Sequence, residues 1–248
     1  MAYAVVTREL DATSAYATIL APLGLDVIAM PVTRTEPPRD ANALVRALEA
    51  TYAAIVVASA RAAAALATAR GSQTLPEVWA VGPATLRALR DAGIAARMSD
   101  AASDGAALAH AMLAARDFAG QRVLVPRAEE GREDAIAILR AAGVEVVDVA
   151  AYRTVPAPPD DAAVATGRAV LLGGDAAVCI VFAPSQIRAL AAIVECPLAE
   201  LATRFVAIGD TTGAVLREAG IERVSVAATP TPEGVANAVA AVYPRGRS

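Results

Sequence analysis

Residues 4–35, AVVTRELDATSAYATILAPLGLDVIAMPVTRT, return at residues 122–154 as RVLVPRAEEGREDAIAILRAAGVEVVDVAAYRT. Arg8 matches Arg127, Gly24 matches Gly143, and Arg34-Thr35 matches Arg153-Thr154, all at an offset of 119. Each copy reads as an apolar strand, a polar loop, an amphipathic helix closed by a glycine C-cap, and a second strand. Such a duplication decides the architecture before any motif does.

A second unit recurs between and after these copies. AAIVVASARAAAALA (53–67) is answered by VCIVFAPSQIRALAA (178–192), and VWAVGPATLRALRDAGI (78–94) by FVAIGDTTGAVLREAGI (205–221). Gly82 pairs with Gly209 and Gly93 with Gly220, at an offset of 127. SDGAALAHAM, at Ser103, and TPEGVANAVA, at Thr231, each place Ser or Thr before a glycine and a new helix. Short apolar strands alternating with helices predict an α/β protein with parallel sheets, because right-handed crossovers lay helices over both faces. The exits MPVTRTEPP and VAAYRTVPAPP both run from an apolar strand into proline-rich sequence, so they could lie side by side as a two-stranded bridge. The expected division is a discontinuous lobe of 1–33 and 157–248, an inserted lobe of 36–150, and linker strands at 34–35 and 151–156. Pairing the halves in simple chain order is the alternative that the sequence leaves open.

Composition narrows the function. The chain has 248 residues, room for two modest domains. Its hydrophobic fraction of 56% is rich in alanine. No apolar run approaches the roughly 18–20 residues of a membrane span. The opening MAYAVVTRELD has neither a basic n-region nor an apolar h-region, so no export signal is expected. Cys179 and Cys196 lack CxxC spacing and a histidine cluster, which points away from zinc and disulfides and toward a reducing cytoplasm. A net charge of −4 argues against nucleic acid as a partner. The 22 basic residues are all arginine, and the guanidinium fork suits carboxylates.

Ligands of parallel α/β sheets bind beyond the carboxyl ends of the strands. Val81-Gly82-Pro83-Ala84-Thr85 and Ile208-Gly209-Asp210-Thr211-Thr212 each end a strand and open a helix whose first-turn N–H groups can hold a carboxylate or phosphate. Helix capping by these threonines is the structural alternative. Ser59 and Ser185 occupy similar strand-to-helix turns and could likewise be caps. His110 lies in a helical run, no GxSxG surrounds either serine, and neither a Walker loop nor GxGxxG is present; Gly173-Gly174-Asp175 reads as a turn. Tyr152 stands where the first copy has Thr33, so the repeat itself does not require an aromatic there. Its phenol can donate a proton or a hydrogen bond, and packing of the aromatic ring against the linker is the structural alternative.

In order and spacing the VTR strand end, VGPAT, VLVPR, GVEVVDVAAYRT, FAPS, AIGDTT and TPTPEG resemble the uroporphyrinogen-III synthase family over essentially the whole chain. The resemblance implies two α/β lobes joined by a two-stranded linker. It implies cyclisation of hydroxymethylbilane, with loss of water and inversion of the last pyrrole ring, by a cytoplasmic monomer without metal or organic cofactor. The substrate carries eight carboxylates, and the reaction passes through an azafulvene and a spiro intermediate. By the same resemblance Tyr152 assists departure of the hydroxyl, while Thr85, Ser185, Thr211 and Thr212 contact the substrate through hydroxyl or backbone groups. Ser59, Gly82 and Gly209 join the binding set by position, as do Arg8, Arg127 and Arg153. The chain has Ala58-Ser59 and Phe182-Ala183 where the family commonly has FTS, which leaves the backbone donors in place. Two other classes compete. A non-catalytic two-lobed module could bind an acidic small molecule, and a nucleotide-dependent oxidoreductase would need the phosphate fingerprint that is missing.

Overall fold

The computed structural model describes residues 2–9, 15–99, 102 and 104–243, and the chain divides into two compact units, 1–34 with 155–248 and 35–154. In chain order the strands are β1 (Ala2–Val6), β2 (Leu25–Ala29), β3 (Thr33–Glu36), β4 (Ala54–Val57), β5 (Glu77–Ala80), β6 (Arg97–Met98), β7 (Arg122–Ala128), β8 (Glu145–Pro156), β9 (Ala176–Val181), β10 (Arg204–Ala207) and β11 (Val224–Val226). The helices are α1 (Ala15–Leu20), α2 (Ala43–Ala47), α3 (Ala60–Arg70), α4 (Gly82–Asp91), α5 (Gly105–Ala115), α6 (Asp134–Ala141), α7 (Ala162–Leu172), α8 (Pro184–Val194), α9 (Asp210–Glu218) and α10 (Pro232–Val242). Among the described residues none is long and apolar enough to cross a membrane.

The two sheets share one plan. The first unit has the order β11-β10-β9-β1-β2, and the second has β6-β5-β4-β7-β8 with β3 added beside β8. Apart from that added strand, the neighbours run parallel. In the first unit the β1–β2 half precedes the β9–β11 half along the chain, whereas in the second the β4–β6 half precedes the β7–β8 half. The units are thus circular permutations of each other. The repeat extends to register, since Val6 pairs with Ala29 and Val125 with Asp148, each at the offset of 119.

Strands covered on both faces must be apolar on both, so they read as continuous rather than alternating hydrophobic runs. In the first unit Val5, Cys179, Val181 and Phe205 face α7, α8 and α9, while Ala4, Val6, Ile180 and Val206 face α1 and α10. In the second, Ile55, Val57 and Leu124 face α2, α3 and α4, and Val56, Val123 and Val125 face α5 and α6. Full burial of one such large side chain stabilises the fold by about 1.5–3 kcal/mol. The duplicated helices end as their glycines demand. Gly24 and Gly143 adopt φ of 75° and 78°, a left-handed cap that costs glycine no Cβ clash.

This layering makes the connections diverge at the centre of each sheet. The helix after β1 covers one face and the helix after the neighbouring β9 covers the other, and the same holds for β7 with α6 and β4 with α3. Adjacent strands whose connections diverge leave an opening beyond their carboxyl ends, the usual ligand position in open α/β sheets.

Candidate active site

In the second unit the opening between β4 and β7 is a cavity of about 330 Å³, with Ser59, Val81, Asp104, Arg127, Arg132 and Tyr152 in its wall. Ser59 is the N-cap of α3; its extended backbone points Oγ at the Ala62 N–H, which donates to it at 3.1 Å. The same Oγ lies 3.2 Å from the Tyr152 hydroxyl. Tyr152 is on β8 opposite Ala128, just after a register shift at Arg127/Ala128, and the Glu129 N–H donates to its carbonyl at 2.8 Å. Ser59 thus caps α3 and at the same time lines this cavity.

Ser185 is not the counterpart of Ser59. Ala183 holds the N-cap of α8, and Ser185 stands inside its first turn without capping. Each N-cap stands two residues past its strand, which makes Ala183 the counterpart of Ser59 and leaves Ser185 two positions further on. No side chain caps α8; Gln186 Oε1 instead accepts from the Phe182 N–H, ahead of the helix, and lies against the Thr7 hydroxyl, both at 2.8 Å. Thr7 is fully buried and also reaches the Ile180 carbonyl at 2.9 Å. The sequence reading missed this cross-strand knot. Glutamine three residues past the cap was the available signal.

The glycine-threonine turns are matched. Thr85 and Thr212 sit at equivalent positions in α4 and α9, both buried. Neither caps its helix, and neither side-chain hydroxyl has a hydrogen-bond partner among the described residues. Thr211 is exposed. Gly82 has a left-handed φ of 73°, whereas Gly209 is extended at −175°, a conformation open to any residue. A Cβ built on either would meet nothing within 4 Å.

The three arginines differ. Arg127 gives Nε and Nη2 to the two oxygens of Asp148 at 2.7 and 2.8 Å, and Nη2 also to Glu133 at 3.0 Å. Its Nη1 goes to the Ala128 and Gly131 carbonyls at 3.2 Å. Asp148 raises its pKa further. A guanidinium so occupied ties β7 to β8 and to the turn that follows β7. Arg153 gives Nη2 to Glu36 at 2.7 Å and buries its Nε without a partner among the described residues. Arg8 is exposed, with its guanidinium carbon 5.1 Å from the centre of the Phe182 ring.

Cys179 and Cys196 are free thiols, and burial pushes Cys179 up to about 12. His110 is exposed on α5. Asp104 caps that helix, while Ser103 lies outside the described residues.

A duplicated parallel α/β fold with hydroxyl-bearing turns at its strand ends defines a two-unit α/β protein. The chain belongs to the uroporphyrinogen-III synthase family: the model of that family, the HemD synthase, matches residues 14–237. Among solved structures, a mutant uroporphyrinogen III synthase from the extremely thermophilic bacterium Thermus thermophilus is similar, with a TM-score of 0.62, 19% identity and 98% of each chain covered. A uroporphyrinogen-III synthetase from Helicobacter pylori gives a TM-score of 0.63 at 16% identity, over 98% of this chain and 100% of that one. These likenesses show the shared fold. No curated protein sequence matches the chain significantly. Family membership makes it a lyase of tetrapyrrole biosynthesis that cyclises hydroxymethylbilane, and the non-catalytic binding module is not favoured.

Proposed function

We propose that this chain performs the cyclisation with Tyr152 as proton donor and with the glycine-threonine turns of both units as substrate holders. The single observation that carries the reading is the pair of hydroxyls at Ser59 and Tyr152, 3.2 Å apart in a cavity at the carboxyl ends of β4 and β7. The pyrrole nitrogen lone pair of hydroxymethylbilane expels the terminal hydroxyl, and the phenol supplies the proton that lets it leave as water. Ser59 Oγ accepts the Ala62 N–H, so its own proton remains available for the phenolate. The azafulvene carbon then bonds to the substituted position of the last ring. After the spiro intermediate opens and recloses, loss of a ring proton restores the balance.

Much of the catalysis lies in holding the flexible chain in the attack geometry, which shortens the search for reacting atoms. The first-turn amides of α4 and α9 suit the substrate carboxylates. Gly209 supports this reading, because its extended backbone and open surroundings give no internal reason for glycine, whereas close approach of a ligand does. Ser185 and the exposed Thr211 join the contacts at the first turns of α8 and α9. A cytoplasmic monomer is the proposed working form.

The hydroxyls of Thr85 and Thr212, without hydrogen-bond partners among the described residues, provide the test. Thr85→Val and Thr212→Val keep the shape and are expected to leave the melting temperature nearly unchanged. Each is expected to raise KM for hydroxymethylbilane about tenfold, the effect of one hydrogen bond to a charged group at about 1.4 kcal/mol. Steady-state kinetics checks this; unchanged KM in both variants removes these turns from the site.

A further inference from the structure

The repeat exposes a substitution that leaves one cation without a carboxylate among the described residues. Arg8 and Arg127 are equivalent, each two residues past a strand position, Val6 or Val125, whose partner on the next strand is Ala29 or Asp148. In the second unit Asp148 takes the Arg127 fork through two hydrogen bonds at 2.7 and 2.8 Å. In the first unit a methyl group stands in the place of that carboxylate. The guanidinium of Arg8 lies instead 5.1 Å from the Phe182 ring centre and 6.0 Å from that of Tyr16, the two rings meeting edge to face at 5.5 Å. Burial raises the Tyr16 phenol, with Arg8 opposing the rise.

Arg97, Arg116 and Arg122 also lie over aromatic rings, but each is paired with Glu77 or Glu145. Arg8 has no carboxylate partner among the described residues. An aromatic face can hold a guanidinium in place while leaving its N–H edge open, and that edge matches a carboxylate with two parallel hydrogen bonds. Arg8 follows β1 and Phe182 follows β9, the adjacent strands whose helices diverge, so the open edge sits at the ligand end of the first sheet.

We propose that Arg8, steadied by Phe182 and Tyr16, is the anchor for one carboxylate of the tetrapyrrole, and that the Asp148-to-Ala29 difference between the repeats created it. The proposal rests on the cyclase reading above and deepens it, assigning to Arg8 a contact that Arg127 cannot make. Phe182 is a positioning residue in this arrangement.

The experiment compares the full chain with its Arg8→Gln and Ala29→Asp variants. Steady-state kinetics on hydroxymethylbilane is combined with binding of uroporphyrin III, an octacarboxylate, and of its uncharged octamethyl ester. Arg8→Gln removes the fork; Ala29→Asp keeps it and captures it as Asp148 captures Arg127. Both are expected to raise KM and weaken uroporphyrin III binding about tenfold, with kcat, the type III product and ester binding little changed. If Ala29→Asp lowers the melting temperature, Arg8→Gln, a change at an exposed side chain, decides the matter. Unaltered KM and uroporphyrin III affinity in a folded Arg8→Gln variant that still makes the type III isomer overturns the anchor and leaves the cyclase reading standing. Type I product alone from the parent protein would instead remove the reading beneath it.

Discussion

Replacing Tyr152 by Phe is expected to lower kcat about 10²-fold while leaving KM and the melting temperature close to those of the parent. General acid catalysis contributes roughly 10²–10⁴-fold, and the low end applies because an electron-rich pyrrole helps to expel its own hydroxyl. The substitution removes a single oxygen. Tyr152 is half-buried, and its ring packs at the margin of the core around Ile55, Val57 and Leu66, contacts that phenylalanine keeps. What is lost is the 3.2 Å contact with Ser59 and the proton it can pass on. Single-turnover measurements with freshly generated hydroxymethylbilane check the chemical step directly. A rate within about twofold of the parent would assign proton donation to water or to another group.

The second large effect is on stability. Gly234 opens α10, where its N–H donates to the capping Thr231 hydroxyl at 3.2 Å. A Cβ at this position would overlap the carbonyl oxygen and hydroxyl of Thr229 and lie 3.0 Å from the Thr229 carbonyl carbon. No rotamer relieves a clash with backbone, so the 229–231 turn must move and the cap with it. Overpacking of this kind costs about 1–3 kcal/mol or more, against a gain of about 1 kcal/mol from alanine's helix propensity. Gly234→Ala is therefore expected to cost about 2 kcal/mol, a fall in melting temperature of about 4–8 °C for a chain of this size. Thermal unfolding followed by circular dichroism reads it, and an unchanged or higher midpoint would show that the turn yields freely. The effect reaches the fold through Val235 and Val239, which α10 buries against β1, β9 and β10.

The fold was legible because its signals are local and occur twice. Apolar runs such as AIVV and VCIV, glycines at 24, 93, 143 and 220, and the repeated offsets specify strands, helix ends and the shared plan without any knowledge of contacts. The site was legible only in part, because its decisive features depend on register. Ser59 and Ser185 look alike in sequence yet differ in role, since each cap stands two residues past its strand, which puts Ala183 in the place of Ser59 and Ser185 inside the helix. Arg127 and Arg8 align perfectly, and their opposite fates follow from residues 21 positions downstream, Asp148 and Ala29, which become neighbours only when the strands pair. The Thr7–Gln186 bond spans 179 residues, so no local pattern announces it. Thr85 and Thr212 were read from their turns, but only burial separates Thr212 from exposed Thr211.

The most direct measurement is the isomer composition of the tetrapyrrole released when purified protein receives hydroxymethylbilane as it is generated enzymatically. The ring-inverted type III isomer should dominate, in excess of what a protein-free control forms. Type I alone, in the proportion of that control, would contradict the assignment of this fold to ring inversion.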